Sequence, residues 1–255
     1  MINLARTAVR GLTTRMFTTG TSMQAPTVAV TLYKQDKYDG TACHGYGHSY
    51  VGLRNGAQND SCYCTSCRWG NNRAHAVTGS KGAPSEESRN VMVESARISR
   101  GNVKSLSELS SASADAVIFP GGFGAAKNLS DFATKGAEMS VIDDVERVIK
   151  DFHGAKKPIG LCCIAPMLAA KVLGGNGVTL TLGKPDDGSG KWPYGGSLEA
   201  AKALGANVVE KGVDEIEVDE ANLVVTAPAF MYEGKFHEIH DNVANMVNSV
   251  LKLVK

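Results

Sequence analysis

The stretch KPIGLCCIAP, Lys157 to Pro166, decides the fold of this chain. An apolar run typical of a buried strand leads into two cysteines, and the proline after them suits the first turn of a helix. A cysteine on such a turn has its sulfur over the helix N-terminus, where N–H groups and the helix dipole favour thiolate over thiol. Neighbouring side chains at a strand end point in opposite directions, so only one of Cys162 and Cys163 can face this site.

A second strand-to-loop stretch is ADAVIFPGGFG, Ala114 to Gly124. Three glycines in four positions, Gly121, Gly122 and Gly124, let the backbone approach a bound group and leave its N–H groups accessible. That arrangement suits an oxyanion or carboxylate site. A tight strand-to-helix turn is the simpler alternative, although it explains only one or two of the glycines.

Three more apolar runs have the same character, namely TVAVTLY from Thr27, GVTLTLG from Gly177 and NLVVTAP from Asn222. Each predicts a buried strand. Between and after them, apolar residues recur at helical spacing. The two helical faces are Val141, Val145, Val148, Ile149 and Phe152, and then Phe236, Ile239, Val243, Met246, Val247, Val250 and Leu251.

Strands that alternate with helices predict right-handed crossovers and a mostly parallel sheet covered on both faces. We therefore expect one doubly wound α/β sandwich domain over residues 26–255. In such a fold the chemistry belongs at the carboxyl ends of the strands, where the two loops described above lie.

Composition and charge indicate which classes of binding partner to expect. The chain has 255 residues, 43% of them hydrophobic, and a net charge of +1. Without a basic excess we expect no nucleic-acid partner. No apolar run reaches the roughly 18 residues of a membrane span, so we expect no membrane partner either.

Residues 1–25 are predicted to be a mitochondrial transit peptide. Arginines recur in this segment, which is rich in Thr and Ala. The first acidic residue of the chain is Asp36. Ile2, Ala5, Val9, Leu12 and Met16 follow one helical face. A disordered tail is the alternative. A matrix location would keep thiols mostly reduced, so we do not interpret the six cysteines as a disulfide framework.

The PGGFG loop, followed about forty residues later by KPIGLCCIAP, resembles the class I glutamine amidotransferase-like superfamily that includes the ThiJ and PfpI proteins. Three further stretches resemble the ElbB-like subgroup and its mitochondrial relatives: KGAPSEESRNVMVESARISRG, GKWPYGGSLEAAKALGA and VVTAPAFM. The resemblance implies a flavodoxin-like α/β sandwich, which often dimerises. It identifies Cys163 as the elbow cysteine and Cys162 as its buried neighbour.

The activity implied by the resemblance is a cofactor-free, metal-free conversion of small 2-oxoaldehydes to hydroxy acids, weak in ElbB-like members. Cys163 thiolate would attack the aldehyde. Substrate or oxyanion would be held by the backbone around Gly121, Gly122, Phe123, Gly124 and Ile164. Many members have a histidine directly after the cysteine, and Ile164 in its place argues against peptidase or amidase chemistry.

The general base is where this sequence departs from the family pattern. ElbB-like proteins resemble one another in a YDG, a short spacer, and then His and Glu opening a helix. Here Tyr38, Asp39 and Gly40 are followed in register by His44, but Gly45 stands where the family has Glu. His44 therefore remains as a candidate catalytic residue without its carboxylate neighbour.

Residues 42–80 are anomalous as a whole. They contain no Lys, Glu or Ile and four of the six cysteines, although the parallel sheet needs a helix and a strand here. No part of the segment shows the apolar spacing of a helix or the apolar–polar alternation of a strand. The family resemblance stops near Thr41 and resumes at Lys81.

Three interpretations of this segment compete. A zinc site could use Cys62, Cys64, Cys67 and His75, but Cys-x-Cys-x-x-Cys lacks the paired spacing of a zinc ribbon or finger. A disordered insertion would lengthen the chain instead of replacing a helix and a strand. We favour the hypothesis that the segment is translated out of frame.

Two classes of function follow from the sequence. The first is a glyoxalase-type enzyme acting through Cys163. The second is a non-catalytic or thiol-sensing mitochondrial protein that keeps the pocket but lacks the base. The expected partners are a small aldehyde substrate and a second copy of the chain.

Overall fold

The structure, a computed structural model, describes residues 26–32, 59–64, 74–78, 83–98, 101 and 103–255. In chain order its strands are β1 (Thr27–Leu32), β2 (Asn59–Cys64), β3 (Ala74–Thr78), β4 (Ala83–Arg89), β5 (Lys104–Ser105), β6 (Ala116–Phe119), β7 (Ile159–Cys162), β8 (Thr179–Leu180), β9 (Asn207–Val208), β10 (Glu217–Asp219) and β11 (Val224–Ala227). Seven of them form one sheet, in the order β10-β11-β7-β6-β1-β2-β5.

All neighbouring strands of this sheet are parallel except β10 and β11, which are antiparallel. From β1 the chain moves outward to β2 and β5, then returns to the other side of β1 at β6. This reversal is the signature of a doubly wound sheet, and it confirms the predicted flavodoxin-like α/β sandwich.

The helices lie between the strands and after the last one. They are α1 (Val91–Ile98), α2 (Phe123–Lys127), α3 (Phe132–Lys135), α4 (Asp143–Gly154), α5 (Pro166–Leu173), α6 (Gly196–Ala203) and α7 (Phe236–Leu253). The apolar face predicted for α4 is fully buried at Val145, Val148, Ile149 and Phe152. The prediction for α7 is wrong at Phe236, which begins the helix and is 51% exposed.

Gly160 in β7 lets α7 lie close to the sheet. A Cβ at this position would be 2.9 Å from Cγ2 of Val250 on α7 and 3.3 Å from Cγ1 of Ile118 on β6. The glycine within KPIGLCC is therefore a packing requirement at the centre of the core.

The stretch GVTLTLG does not form the predicted strand of the main sheet. Only Thr179–Leu180 is a strand, and it pairs with β9 in a separate two-stranded sheet. The place beside β11 is taken by β10. Side chains hold the stretch nearby instead, because Thr179 N–H donates to Asp219 Oδ2 (2.7 Å) and Thr181 N–H to Thr226 Oγ1 (2.9 Å).

The anomalous segment does contain a strand, which the sequence pattern did not predict. Six residues of β2 pair in parallel register with β1, from Thr27 opposite Asn59 to Leu32 opposite Cys64. Backbone groups make these pairs, so they form without an apolar pattern. Ala74–Thr78 pairs separately with Ala83–Arg89 in an antiparallel hairpin. None of the helices within the described ranges is long and apolar enough to cross a membrane.

Candidate active site

Cys163 lies on a strained strand-to-helix turn. It follows β7 directly, three residues before Pro166 begins α5, and its backbone φ is 59°. Residues other than glycine seldom adopt this left-handed conformation, which is typical of a nucleophile elbow. The neighbouring strand fixes the turn, because Cys163 N–H donates to the carbonyl oxygen of Ala227 at the end of β11 (3.0 Å).

The two adjacent cysteines have different surroundings. Cys162 is completely buried, and its thiol donates to the carbonyl oxygen of Pro120 (2.8 Å). Burial, and then the neighbouring Cys163, raise the pKa of Cys162 well above its ordinary value, so Cys162 stays a thiol at neutral pH. Cys163 retains 6% exposure. It is therefore the cysteine of the pair that solvent can reach.

The PGG loop is packed against this turn. Gly121 has φ 81° and Gly122 has φ 102°. A Cβ on Gly121 would lie 2.3 Å from the carbonyl oxygen of Cys162 and 2.7 Å from Cβ of Cys163, so only glycine permits this approach. No hydrogen bond among the described residues uses the N–H of Gly121 or Gly122. The backbone of Gly121 thus lies beside the cysteine, and Gly122 follows it in the same loop.

The other predicted contact residues flank these glycines and the cysteine. Phe123 opens α2 and is 41% exposed, and Lys127 Nζ lies 4.9 Å from its ring centroid. Gly124 is buried, and its carbonyl accepts from Asn128 N–H (2.7 Å). Ile164, directly after the cysteine, is half-buried. Of the predicted contact residues, Gly121 packs against the cysteine turn and Ile164 follows Cys163 directly, whereas His44 and Gly45 lie outside the described residues.

A second strained turn borders the elbow. After β11, Ala229 has φ 45° and begins a 3₁₀ turn, Ala229–Met231. Buried Asn242 of α7 accepts from Ala229 N–H (2.8 Å) and donates to the carbonyl oxygen of Glu215 (2.7 Å). This side chain holds in place the segment that follows the strand supporting Cys163.

Sequence reasoning assigned no role to the loop before α6. Tyr194 falls in the GKWPYGG stretch, which contributed to the family resemblance alone. Burial raises the pKa of the Tyr194 phenol, and the Cys163 thiolate and the Glu233 carboxylate raise it further. The sequence feature that could have drawn attention to this loop is a pair of aromatic residues in a glycine-rich stretch.

Metal ligands do not cluster in the part of the chain that the structure describes. The zinc hypothesis involves Cys67, which lies outside the described residues, and side chains in β2 and β3 that are not described. In the backbone, Cys62 and Cys64 belong to the large sheet and His75 to the separate hairpin.

No protein-family model matches the chain. Two curated proteins align with most of it. The rat protein named ES1 protein homolog, mitochondrial, is 52% identical over 227 residues, which is 89% of this chain and 83% of the relative. The human protein named glutamine amidotransferase-like class 1 domain-containing protein 3, mitochondrial, is 51% identical over 230 residues, or 90% of this chain and 84% of the relative.

Solved structures share the fold. An isoprenoid biosynthesis protein with an amidotransferase-like domain from Ehrlichia chaffeensis superposes with a TM-score of 0.75 at 25% identity, over 91% of this chain and 100% of that chain. A ThiJ/PfpI domain protein from Brachyspira murdochii superposes with a TM-score of 0.52 at 13% identity, over 90% of this chain and 96% of that one.

The doubly wound sheet, with a cysteine turn beside a PGG loop, is that of a class I glutamine amidotransferase-like protein. Within that class, the chain belongs to the family of the ES1 proteins and glutamine amidotransferase-like class 1 domain-containing protein 3. Both relatives are named mitochondrial, which supports a mitochondrial location for this chain.

Proposed function

We propose that this protein converts small 2-oxoaldehydes to hydroxy acids, weakly and without a cofactor, by nucleophilic catalysis at Cys163. The observation that carries the proposal is the left-handed elbow of Cys163, against which the backbone of Gly121 packs, in a loop where the N–H groups of Gly121 and Gly122 make no hydrogen bond among the described residues. A thiolate and preorganised donors are what addition to an aldehyde requires.

The reaction proceeds in three steps. Cys163 Sγ forms a bond to the aldehyde carbon, and the carbonyl electron pair moves to oxygen, where the N–H groups of Gly121 and Gly122 stabilise it. A base then takes the proton from that carbon, and a proton is returned to the neighbouring keto carbon, which leaves a thioester. Water hydrolyses the thioester, releases the hydroxy acid and restores the cysteine.

The first step, addition of Cys163 to the aldehyde, can be tested on the chain with its original sequence. Methylglyoxal is expected to protect Cys163 from alkylation by iodoacetamide, because a hemithioacetal removes the thiolate. Peptide mass mapping should show that alkylation and protection occur at Cys163 and not at buried Cys162. A Cys162→Ala variant is the matched control and should be protected like the original chain. Alkylation of Cys163 that methylglyoxal leaves unchanged would contradict the proposal.

The alternative function is thiol sensing without catalysis, and Gly45 at the expected Glu position favours it. A sensor would oxidise at Cys163 at low oxidant concentrations and would not turn over methylglyoxal. Titration with hydrogen peroxide, with the mass of the Cys163 peptide as readout, beside a methylglyoxal consumption assay, separates the two functions.

Two further features belong to this proposal. The matrix is the proposed compartment, supported by the amphipathic, arginine-containing stretch in residues 1–25. A homodimer is the proposed assembly, supported by the family resemblance. Light scattering of the purified chain should give twice the monomer mass, and a monomer mass at micromolar concentrations would contradict the assembly.

A further inference from the structure

The buried face of α7 contains one polar side chain among apolar ones. Asn242 is 1% exposed. The other buried residues of this helix, which is described over its whole length, are Ile239, Val243, Met246, Val247 and Val250. Helical spacing alone would place an apolar residue at position 242. A buried amide is costly unless its polar atoms are hydrogen-bonded, so the partners of Asn242 indicate its role.

The side chain of Asn242 joins two segments of backbone. Its Oδ1 accepts from Ala229 N–H (2.8 Å), and its Nδ2 donates to the carbonyl oxygen of Glu215 (2.7 Å). An N–H needs an acceptor and a carbonyl needs a donor, so these partners also fix which end of the amide faces each segment. Ala229 is fully buried, and solvent therefore does not reach its N–H.

The backbone of Ala229 is strained, and the bond from Asn242 helps to hold it. A φ of 45° is seldom adopted by residues other than glycine, and it persists only where the surroundings restrain it. The turn's own restraint is the bond from Tyr232 N–H to the carbonyl oxygen of Ala229 (3.2 Å). Without the acceptor on Asn242, a buried donor would be unpaired at a strained residue, and the turn would rearrange.

This turn is connected to the cysteine elbow through one peptide group. The carbonyl oxygen of Ala227 accepts from Cys163 N–H (3.0 Å), and that carbonyl belongs to the peptide bond with Pro228, which precedes Ala229. The proline ring holds φ of Pro228 at −59°, so little rotation is available to absorb a movement of Ala229. A rearranged turn would therefore rotate the Ala227 carbonyl away from Cys163, whose own φ of 59° is strained.

We propose that Asn242 is a positioning residue for the nucleophile. It holds the left-handed turn at Ala229, which fixes the Ala227 carbonyl and, through it, the backbone of Cys163. The interaction of the Cys163 thiolate with the N-terminus of α5 depends on that backbone, because the effect of a helix dipole falls off within one turn. The importance of Asn242 for catalysis rests on the proposed function, whereas its effect on the reactivity of Cys163 does not.

The pH profile of Cys163 alkylation tests this role. Asn242→Leu has a similar volume and removes both hydrogen bonds of the side chain. We expect the pH of half-maximal alkylation by iodoacetamide to rise by about one unit, because a displaced thiolate loses stabilisation by the helix N-terminus. This midpoint is the readout, since a loosened turn would change access to the sulfur at every pH alike. Peptide mass mapping assigns the alkylation to Cys163.

Two further variants separate positioning from stability. Asp219→Ala removes hydrogen bonds at the other end of β11, where Asp219 pairs with Val224, and it should lower the urea midpoint without moving the alkylation midpoint. Asn242→Asp is the conservative variant. Burial favours its protonated carboxyl, which can accept from Ala229 N–H and donate to the Glu215 carbonyl. Its alkylation midpoint should therefore stay close to that of the original chain.

Should Asn242→Leu not fold, Asn242→Ser carries the same test. Its hydroxyl is too short to reach both partners, and the smaller side chain leaves room for water. We expect its alkylation midpoint to rise as well, in the same direction as for Asn242→Leu.

The possible outcomes distinguish this role from the proposed function. An alkylation midpoint that stays unchanged in Asn242→Leu or Asn242→Ser, while the urea midpoint falls, would overturn the positioning role. An equal shift in Asp219→Ala would also overturn it, because general loss of stability would then explain the effect. An equal shift in Asn242→Asp would overturn the part played by the Ala229 hydrogen bond. The proposed function fails on a separate result, the absence of methylglyoxal protection at Cys163 in the original chain.

Discussion

At the scale of single residues, the contact between Gly121 and the cysteine turn is the most demanding feature of the site. The missing Cβ permits the approach to Cys162 and Cys163, and φ of 81° is a conformation that other residues rarely adopt. The glycine-rich turn could be predicted from the sequence. Its contact with the elbow could not, because the two stretches are about forty residues apart and meet only through adjacent strands β6 and β7.

Gly121→Ala should disturb the elbow. Backbone strain alone costs about 1–3 kcal/mol, and the clash with Cys162 and Cys163 displaces the turn. We expect a lower urea midpoint and slower alkylation of Cys163 by iodoacetamide. Gly175→Ala is the matched control, because a Cβ there meets nothing within 4 Å and should change stability by less than about 0.5 kcal/mol. Equal behaviour of the two variants would show that the approach is not required.

At the scale of elements, apolar runs and helical spacing predicted β1, β6, β7, β11, α4 and α7 from the sequence. GVTLTLG was misassigned because apolar content does not reveal which strand lies next to β11. That place depends on hydrogen bonds to Asp219 in β10, which accepts from Thr179 N–H (2.7 Å), 40 residues away, and from Asn222 N–H (3.0 Å) and Nδ2 (2.8 Å), three residues away.

Asp219→Ala should destabilise the fold by about 2 kcal/mol at pH 7, because three donors lose a charged acceptor. Burial alone would raise the pKa of Asp219, but these hydrogen bonds outweigh it and hold the pKa below its ordinary value. A depressed folded-state pKa stabilises the protein above the unfolded value, about 3.9, and this contribution is lost as pH falls through the folded pKa.

Urea unfolding at several pH values checks this prediction. The difference in unfolding free energy between the original chain and Asp219→Ala should be constant near neutrality and shrink below about pH 4. Asp187→Ala, in an exposed turn, is the matched control and should show a small difference throughout. A difference that grows on acidification would contradict the assignment.

At the scale of the whole molecule, residues 42–80 remain the unusual part of the chain. Strand β2 lies between two parallel neighbours, where strands normally read as apolar runs, yet its sequence is NDSCYC. Only about a tenth of the chain lies outside the alignments with the rat and human relatives.

Out-of-frame translation predicts that another reading frame of the transcript encodes a His-Glu helix and an apolar strand at this position. If neither alternative frame does so, the hypothesis is wrong. Replacing residues 42–80 with such a segment should raise methylglyoxal turnover by on the order of 10²- to 10⁴-fold, the usual contribution of a positioned base. An original chain that turns over methylglyoxal as fast as the restored one would show that the base lies elsewhere.

The central claim is that Cys163 is the nucleophile, and methylglyoxal consumption by the restored chain tests it most directly. With the base in place, we expect Cys163→Ala to reduce turnover to background. Cys162→Ala should keep most of it, because Cys162 is buried and donates to Pro120. Turnover by the restored Cys163→Ala variant at the rate of the restored parent would contradict the account.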